Sequence, residues 1–199
     1  MIPESSAGGS VDLYWAMAFP LKWEKCCTLI GLPSVDSTLL QKNGTYYLSC
    51  FIEAPPARAE LWWADSLKGP WNRHPQSGNV GQSMRLRRNG GSFLDCGPEV
   101  CRVAQDCNGD YGKRVFAVPI RRISRTEYEE GEAELLLEGR KSAYRGGRHT
   151  YNTLHDTGMV AFDVQSFPFR TVPDMAEKAA DMGWRFVKKV VRAACRGCR

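Results

Sequence analysis

The chain has 199 residues, of which 43% are hydrophobic and 25% are charged, a composition typical of a globular protein rather than of a disordered chain. Its formal net charge of +5 is modest and is accompanied by 22 acidic residues, so we do not expect a nucleic-acid-binding protein. No stretch approaches the ~20 apolar residues that a membrane-spanning helix needs, and residues 1–10 lack the features of a secretory signal. The basic cluster at residues 85–91 indicates a charged surface loop, with a phosphate or glycan contact as the alternative.

The first part of the chain predicts a strand pair that follows a flexible N-terminus. Residues 1–11 are mostly small and polar, and we expect them to be flexible. Residues 12–19 have the composition of a strand, residues 20–23 form a turn, and residues 25–30 predict a second strand. Two strands therefore precede the first of several repeated units.

Three hairpins recur along the rest of the chain. Their turns are centred on Gly44, Gly97 and Gly158, and each turn has a strand-like run on both sides. Further strand-like runs follow the first two hairpins, at residues 59–64 and 114–120. Several short strands per unit, repeated at long intervals, are typical of the blades of a β-propeller.

The length of this region predicts an incomplete propeller. At about 45 residues per blade, residues 12–170 provide about three to four blades, whereas propellers typically close with 4 to 8. We therefore predict an all-β fold, a partial β-propeller, whose open sheet edges promote self-association or require a separate partner.

Residues 173–199 differ from the rest and predict a basic amphipathic helix and tail. Asp174 and Glu177 have the spacing of a capping box, and apolar residues follow at intervals of three and four. The basic face of residues 174–192 indicates a solvated surface, with weak contact to a membrane surface as the alternative.

The cysteines give no pattern of a metal site. Cys195 and Cys198 form a lone CxxC pair without a second pair at ligand spacing, so we expect no metal, and no other cofactor is indicated. Cys101 lies in a predicted strand, which indicates core packing.

Two carboxylates are the candidate catalytic residues. Asp36 begins a strand of the first hairpin, a place that points towards the axis of a propeller. Asp106 lies in a dense polar run at residues 102–114. Glycoside hydrolysis needs two carboxyl groups across the scissile bond, and these two are the pair that we predict for it. The alternative for Asp106 is a structural role, either capping the turn at residues 108–110 or pairing with Arg102.

Five further residues are candidates for substrate binding. Arg102 can clamp a carboxylate or phosphate, Gln105 can hydrogen-bond sugar hydroxyls, and Tyr111 offers a stacking face. Arg148 and His149 open the third hairpin at the corresponding place, and His149 can donate a hydrogen bond to a hydroxyl or phosphate. A purely structural histidine is the alternative.

The sequence resembles two groups of propeller proteins. Strands between residues 36 and 71 resemble those of the five-bladed propeller glycoside hydrolases of the arabinanase and xylosidase group. Residues 19–23, 102–107 and 111–115 are more closely similar to the N-terminal propeller region of plant glucosamine inositolphosphorylceramide transferases. The resemblance covers about residues 12–165.

The resemblance implies a Golgi enzyme of two parts, in which a separate C-terminal glycosyltransferase domain adds an amino sugar to a glycosylated sphingolipid. It implies that this chain is a module that binds a glycan or glycolipid headgroup and is associated with glycosyl transfer, without the transferase domain itself. Two alternatives stay open. One is a glycosidase-like hydrolase that uses Asp36 and Asp106, and the other is a degenerate structural fragment without a ligand.

Overall fold

The computed structural model describes residues 1–4, 6–82, 85–97, 99–106, 108, 113–138, 148–154, 159–164 and 187–192. Apart from two short 3-10 turns, Ser6–Gly8 and Ser77–Asn79, the regular structure of these residues is entirely β-strand. In this described part of the chain, no helix has the length and apolarity needed to cross a membrane. The predicted all-β fold class is confirmed.

The strands of the described residues form four antiparallel sheets, numbered here in chain order. Sheet 1 contains β1 (Val11–Ala18) and β2 (Lys22–Ile30). Sheet 2 contains β3 (Val35–Lys42), β4 (Thr45–Ile52), β5 (Arg58–Ala64) and β6 (Asn72–Arg73). Sheet 3 contains β7 (Arg88–Asn89), β8 (Leu94–Cys96), β9 (Glu99–Asp106), β10 (Arg114–Ile123), β11 (Tyr128–Glu130) and β12 (Glu134–Glu138). Sheet 4 contains β13 (Tyr151–Leu154), β14 (Met159–Val164) and β15 (Val187–Arg192).

The three predicted hairpins are present. Asn43 and Gly44 join β3 to β4 with φ angles of 51° and 75°, the left-handed conformation that a tight hairpin turn requires of both central residues. Gly97, with a φ of 74°, lies in the turn between β8 and β9. In sheet 4, β13 pairs with β14, and the turn residues 155–158 lie outside the described residues.

Neighbouring sheets pack through apolar side chains in the way that propeller blades do. Tyr47 and Leu61 of sheet 2 share a buried cluster with Ile120 and Tyr128 of sheet 3. A second cluster joins sheet 1 to sheet 2, through residues that include Val11, Leu13 and Leu48. The four sheets are therefore blades of a partial β-propeller, as the sequence predicts.

Cys96 and Cys101 form a disulfide across the turn between β8 and β9. The strand position of Cys101 predicts only core packing, whereas its sulfur also forms this disulfide. Its side chain is nevertheless buried, in a cluster with Leu94 and Val103. The bond fastens one end of β9 to its short neighbour.

The N-terminal residues, for which the sequence predicts a flexible segment, lie along sheet 1. The backbone of Met1 and that of Tyr14 exchange two hydrogen bonds, of 2.7 and 2.9 Å. Ile2 packs against the apolar cluster between sheets 1 and 2. This segment is held by its hydrogen bonds to the edge of β1 and by the burial of Ile2. The polarity of the individual residues does not reveal either contact.

The predicted C-terminal helix is wrong for Val187–Arg192. These residues form β15, which pairs with β14 so that Val187 is opposite Val164 and Arg192 is opposite Met159. The segment contains three valines, and β-branched residues favour strands over helices. Helical spacing of apolar residues was therefore a poor guide here, and residues 173–186 and 193–199 lie outside the described residues.

Candidate functional site

Asp36 stands at an irregular point of β3, an edge strand of sheet 2. The pairing of β3 with β4 shifts between Val35 and Thr38, and Asp36 has a φ of 55°. Aspartate tolerates this left-handed conformation better than most residues, and such irregularities re-aim side chains. The backbone oxygen of Asp36 accepts a hydrogen bond from Asn89 Nδ2 at 2.9 Å, which fixes the bend against sheet 3.

Two side chains of sheet 3 hold the carboxylate of Asp36. Its Oδ2 accepts a hydrogen bond from Arg88 Nε at 2.6 Å and another from Gln105 Nε2 at 3.2 Å. The side chains of Arg88 and Asp36 are 21% and 17% exposed, so the pair is neither buried nor fully solvated. The structure thus brings together the predicted residues Asp36 and Gln105 and adds Arg88, which the sequence places only in a basic surface loop.

Two cavities of about 580 and 560 Å³ share Asp36 and Glu4 in their walls. Glu4 Oε2 accepts a hydrogen bond from the backbone N–H of Asp36 at 2.9 Å. Arg88 and His149 contribute to the smaller cavity, and the larger one has polar side chains from three segments, Thr38, Asn89 and Asn152 among them. Carboxylates, a guanidinium, amides and a hydroxyl in one place suit a ligand with many hydroxyl groups.

Glycines 90 and 91 allow sheet 4 to approach this site closely. Gly90 O accepts a hydrogen bond from Tyr151 N–H at 2.7 Å. A Cβ atom at Gly90 would lie 2.8 Å from the backbone oxygen of His149. Gly91 has a φ of 144°, which disfavours other residues. The two glycines therefore explain how His149 reaches the cavity that Arg88 lines.

Asp163 of β14 positions His149. Its carboxylate pairs with His149 Nδ1, and its Oδ1 accepts hydrogen bonds from the N–H of His149 at 3.0 Å and of Thr150 at 2.7 Å. Burial raises the pKa of Asp163, but these contacts outweigh it and the pKa lies below its ordinary value. Asp163 is the only polar residue among the six of β14, but the sequence does not show which residue it pairs with, so sequence reasoning missed it.

Arg148 lies beside an aromatic ring. Its guanidinium carbon is 5.3 Å from the centroid of the Phe162 ring, a distance at which a cation and an aromatic face attract each other. Tyr111, the predicted stacking residue, lies outside the described residues.

Arg102 lies in the interior, with its side chain 1% exposed. Its Nε donates to Glu130 Oε1 at 2.7 Å, and its two terminal nitrogens donate to Asn89 Oδ1 at 3.3 Å and to Leu86 O at 2.9 Å. All three nitrogens are thus bonded within the protein. Arg102 therefore bonds Asn89, and Asn89 in turn bonds the backbone of Asp36. Arg102 supports the site through Asn89 and does not line it.

Asp106 is also buried, with its side chain 1% exposed, and it pairs with Arg85. Its Oδ1 accepts a hydrogen bond from the N–H of Asn108 at 3.0 Å, the capping contact that the sequence offers as an alternative. Burial raises the pKa of Asp106, but the hydrogen bonds from Arg85 and Asn108 lower it overall. The other alternative, a pair between Asp106 and Arg102, is wrong, because residues four apart on a strand are separated by about 13 Å.

Comparison with known sequences gives a family for this chain. The profile described as "Glucosamine inositolphosphorylceramide transferase 1, N-terminal" matches residues 1–172. The chain is 35% identical to glucosamine inositolphosphorylceramide transferase 1 of Arabidopsis thaliana over 159 residues, which are 76% of this chain and 20% of that protein. It is 34% identical to the protein of that name from Oryza sativa subsp. japonica over 158 residues, 76% of this chain and 21% of that protein. The chain thus spans about a fifth of the length of these curated relatives.

Solved structures support the fold alone. An alpha-L-arabinofuranosidase from Lactobacillus brevis superposes with a TM-score of 0.56 at 8% identity, covering 91% of this chain and 62% of that one. Zg3597, a family 117 glycoside hydrolase from Zobellia galactanivorans, gives a TM-score of 0.55 at 13% identity, covering 93% and 56%. Both neighbours are β-propeller hydrolases, which agrees with the arrangement of the four sheets.

Proposed function

Because the chain belongs to the family of glucosamine inositolphosphorylceramide transferase 1 N-terminal regions, we propose that it is a propeller module that holds a glycan or glycolipid headgroup for glycosyl transfer. The observation that carries this proposal is the pair of Asp36 and Arg88, which stands where two cavities meet and keeps part of each side chain exposed. A carboxylate and a planar guanidinium side by side supply both acceptors and donors to neighbouring sugar hydroxyls.

The two cavities suit the two chemical parts of such a headgroup. The relatives are named for inositolphosphorylceramide, whose headgroup combines a polyol ring with a phosphodiester. Arg88 and His149 offer positive charge or hydrogen-bond donors to a phosphate in the smaller cavity. The Thr38 hydroxyl and the Asn152 amide offer donors and acceptors to ring hydroxyls in the larger cavity.

The predicted site residues take different roles in this proposal. Asp36 and His149 contact the ligand, and Gln105 orients Asp36. Arg102 and Asp106 act on the fold, because both are buried and bonded within the protein. Burial and pairing with Arg85 also leave Asp106 without access to a substrate, so no observation favours the hydrolase that would use it.

Two alternatives accompany the binding role. Either the module works with a separate glycosyltransferase domain, or its open sheet edges support self-association. The predicted weak membrane contact of residues 174–192 is not carried over, because it depends on an amphipathic helix and Val187–Arg192 form a strand. The resemblance of the sequence also predicts a Golgi location.

Binding of inositolphosphorylceramide in detergent micelles, with glucosamine as a soluble second probe, tests the proposal by calorimetry. We expect Asp36→Asn to weaken binding at least about tenfold, because the charged acceptor is lost while the shape is kept. Asp65→Asn is the matched control, since it also breaks an aspartate–arginine pair, with Arg125, on an exposed surface.

Equal binding by Asp36→Asn and the unchanged chain would contradict the proposed site, and absence of binding to either probe would contradict the proposed function. If the unchanged chain released sugar from aryl glycosides and Asp36→Asn abolished this release, the hydrolase would be favoured instead.

A further inference from the structure

The end of the β1–β2 hairpin carries a concentration of exposed apolar side chains. The exposed fractions are 48% for Trp15, 57% for Met17, 81% for Phe19 and 91% for Leu21. In the described part of the chain, only Met1 and Leu135 are other large apolar residues classed as exposed. We call these four residues the hairpin tip. Contiguous exposed apolar surface on a folded protein indicates an interaction site.

The hairpin tip is an ordered projection. Residues 15–18 of β1 are all exposed, so no sheet formed by the described residues packs on either face of this half of the strand. Trp23 Nε1 donates a hydrogen bond to Pro20 O at 2.8 Å, and the rings of Phe19 and Trp23 meet edge to face with centroids 6.1 Å apart. These contacts hold Phe19 in place although it stays exposed.

The hairpin tip is continuous with the larger cavity. Leu13 and Trp15 line that cavity, which Asp36 also lines, and Met17 follows farther along the same strand. Lys68 Nζ lies 5.6 Å from the centroid of the Trp15 ring. Apolar side chains therefore lead from the outermost point of the hairpin to the polar cavity.

We propose that the hairpin tip inserts into the surface of a lipid bilayer and brings the larger cavity to the level of the lipid headgroups. The identity of the headgroup rests on the proposed function, but the insertion does not. Phenylalanine and leucine in the turn, tryptophan on the strand before it, and the flanking lysines Lys22, Lys25 and Lys68 match the preferences of the interface between lipid and water.

The shape of the hairpin tip favours a bilayer over a protein partner. At ~150–250 Å² per side chain, the stated exposures amount to about 400–700 Å² of apolar surface on a single hairpin. A narrow projection lacks the flat surround that a standard protein interface of ~800 Å² per partner needs, whereas a bilayer accepts it without a complementary shape. Glu24, the acidic residue nearest the tip on β2, pairs with Lys22 at 3.3 Å.

Cosedimentation of the full chain with phosphatidylcholine–phosphatidylserine vesicles tests this proposal. We expect the double variant Phe19→Ser/Leu21→Ser to lower the partition into vesicles at least about tenfold, because two inserted apolar side chains are lost. Leu135→Ser is the matched control, since Leu135 is 50% exposed on β12, outside the hairpin. Neither change alters the net charge, and both affect exposed positions, so folding should persist and circular dichroism checks it.

Fluorescence gives a second measurement. Trp15 belongs to the hairpin tip and Trp23 adjoins Phe19, so brominated lipids should quench part of the tryptophan emission, and Trp23→Phe should reduce that part. Vesicle binding that the double variant keeps, or that Leu135→Ser reduces equally, would overturn the proposal. Self-association in ultracentrifugation that the double variant abolishes, without any binding to vesicles, would identify a second copy as the occupant and also overturn it.

The vesicles contain no inositolphosphorylceramide, so this test is separate from that of the headgroup site. Failure of insertion leaves the micelle experiment on Asp36 unaffected, and failure of headgroup binding leaves the vesicle experiment unaffected.

Discussion

Two arginine–carboxylate pairs with nearly equal geometry have different surroundings in this protein. Arg102 Nε lies 2.7 Å from Glu130 Oε1, and Arg88 Nε lies 2.6 Å from Asp36 Oδ2. The side chains of the first pair are 1% and 11% exposed, whereas those of the second pair are 21% and 17% exposed. The distance between the two atoms therefore does not distinguish a pair that supports the fold from one that can contact a ligand. The burial of the side chains does distinguish them.

The buried pair is one part of a closed network between sheet 3 and the segment before it. Glu130 Oε1 also accepts a hydrogen bond from the Tyr128 hydroxyl at 2.7 Å, and Glu130 Oε2 accepts one from Gly81 N–H at 3.0 Å. Burial raises the pKa of Tyr128 well above its ordinary value, so its hydroxyl remains a donor. Each member of the network depends on the others for its partner.

Removal of the arginine from the buried network should have the largest effect. We expect Arg102→Ala to lower the free energy of unfolding by about 3–5 kcal/mol, because it leaves Glu130 partly buried without its cation. Urea denaturation measures the loss. Arg122→Ala is the control, since it removes the arginine of an exposed pair with Glu129 and should leave the unfolding midpoint nearly unchanged. Equal stability of the two variants would contradict the distinction by burial.

The free energy of unfolding should depend on pH through His74, which is fully buried beside Tyr128. Gln76 N–H donates to His74 Nδ1 at 3.0 Å, and His74 Nε2 lies 2.8 Å from Ser124 O, an arrangement that suits the neutral ring. Burial lowers the pKa of His74 from its ordinary value of 6.5. Below pH 6.5 the unfolded chain binds a proton that the folded chain does not, so stability should fall as the pH falls.

The slope of this fall reaches at most about 1.4 kcal/mol per pH unit for one proton. Denaturation curves between pH 7.5 and about 5 measure it, above the range in which most carboxylates titrate. His74→Gln can keep the donor to Ser124 O and cannot bind the proton, so its stability should depend less on pH in this window. An unchanged slope in the variant would assign the effect to another group.

Neutralisation of the partly exposed pair of Asp36 and Arg88 should have the smallest effect on stability. We expect Asp36→Asn to change the free energy of unfolding by less than about 1 kcal/mol, because water reaches both side chains and asparagine also tolerates the positive φ. Urea denaturation beside Arg102→Ala measures the contrast. A loss as large as that of Arg102→Ala would mean that Asp36 supports the fold, and weaker ligand binding by this variant would then carry no information about a site.

Local sequence determined the hairpins and the fold class. Asn43 and Gly44 accept the left-handed conformation of a two-residue turn, and strand composition on both sides completes the unit without reference to distant residues. Recurrence of such units predicted propeller blades, and motifs near residues 102–115 predicted the family to which the chain belongs. These features depend on residues that are close in sequence, which is why a single sequence is sufficient for them.

Only the tertiary structure decided which polar residues meet. Arg102 and Asp106 share a strand but find different partners, Glu130 and Arg85, because both partners come from other segments that fold onto β9. Glu4 and Arg88 reach Asp36 from 32 and 52 residues away, and neither contact has a signal in the spacing of residues. Val187–Arg192 likewise form a strand that pairs with β14, although the periodicity of their apolar residues predicted a helix. Contacts between distant segments depend on how the sheets pack, and packing is a property of the whole fold rather than of any one stretch of sequence.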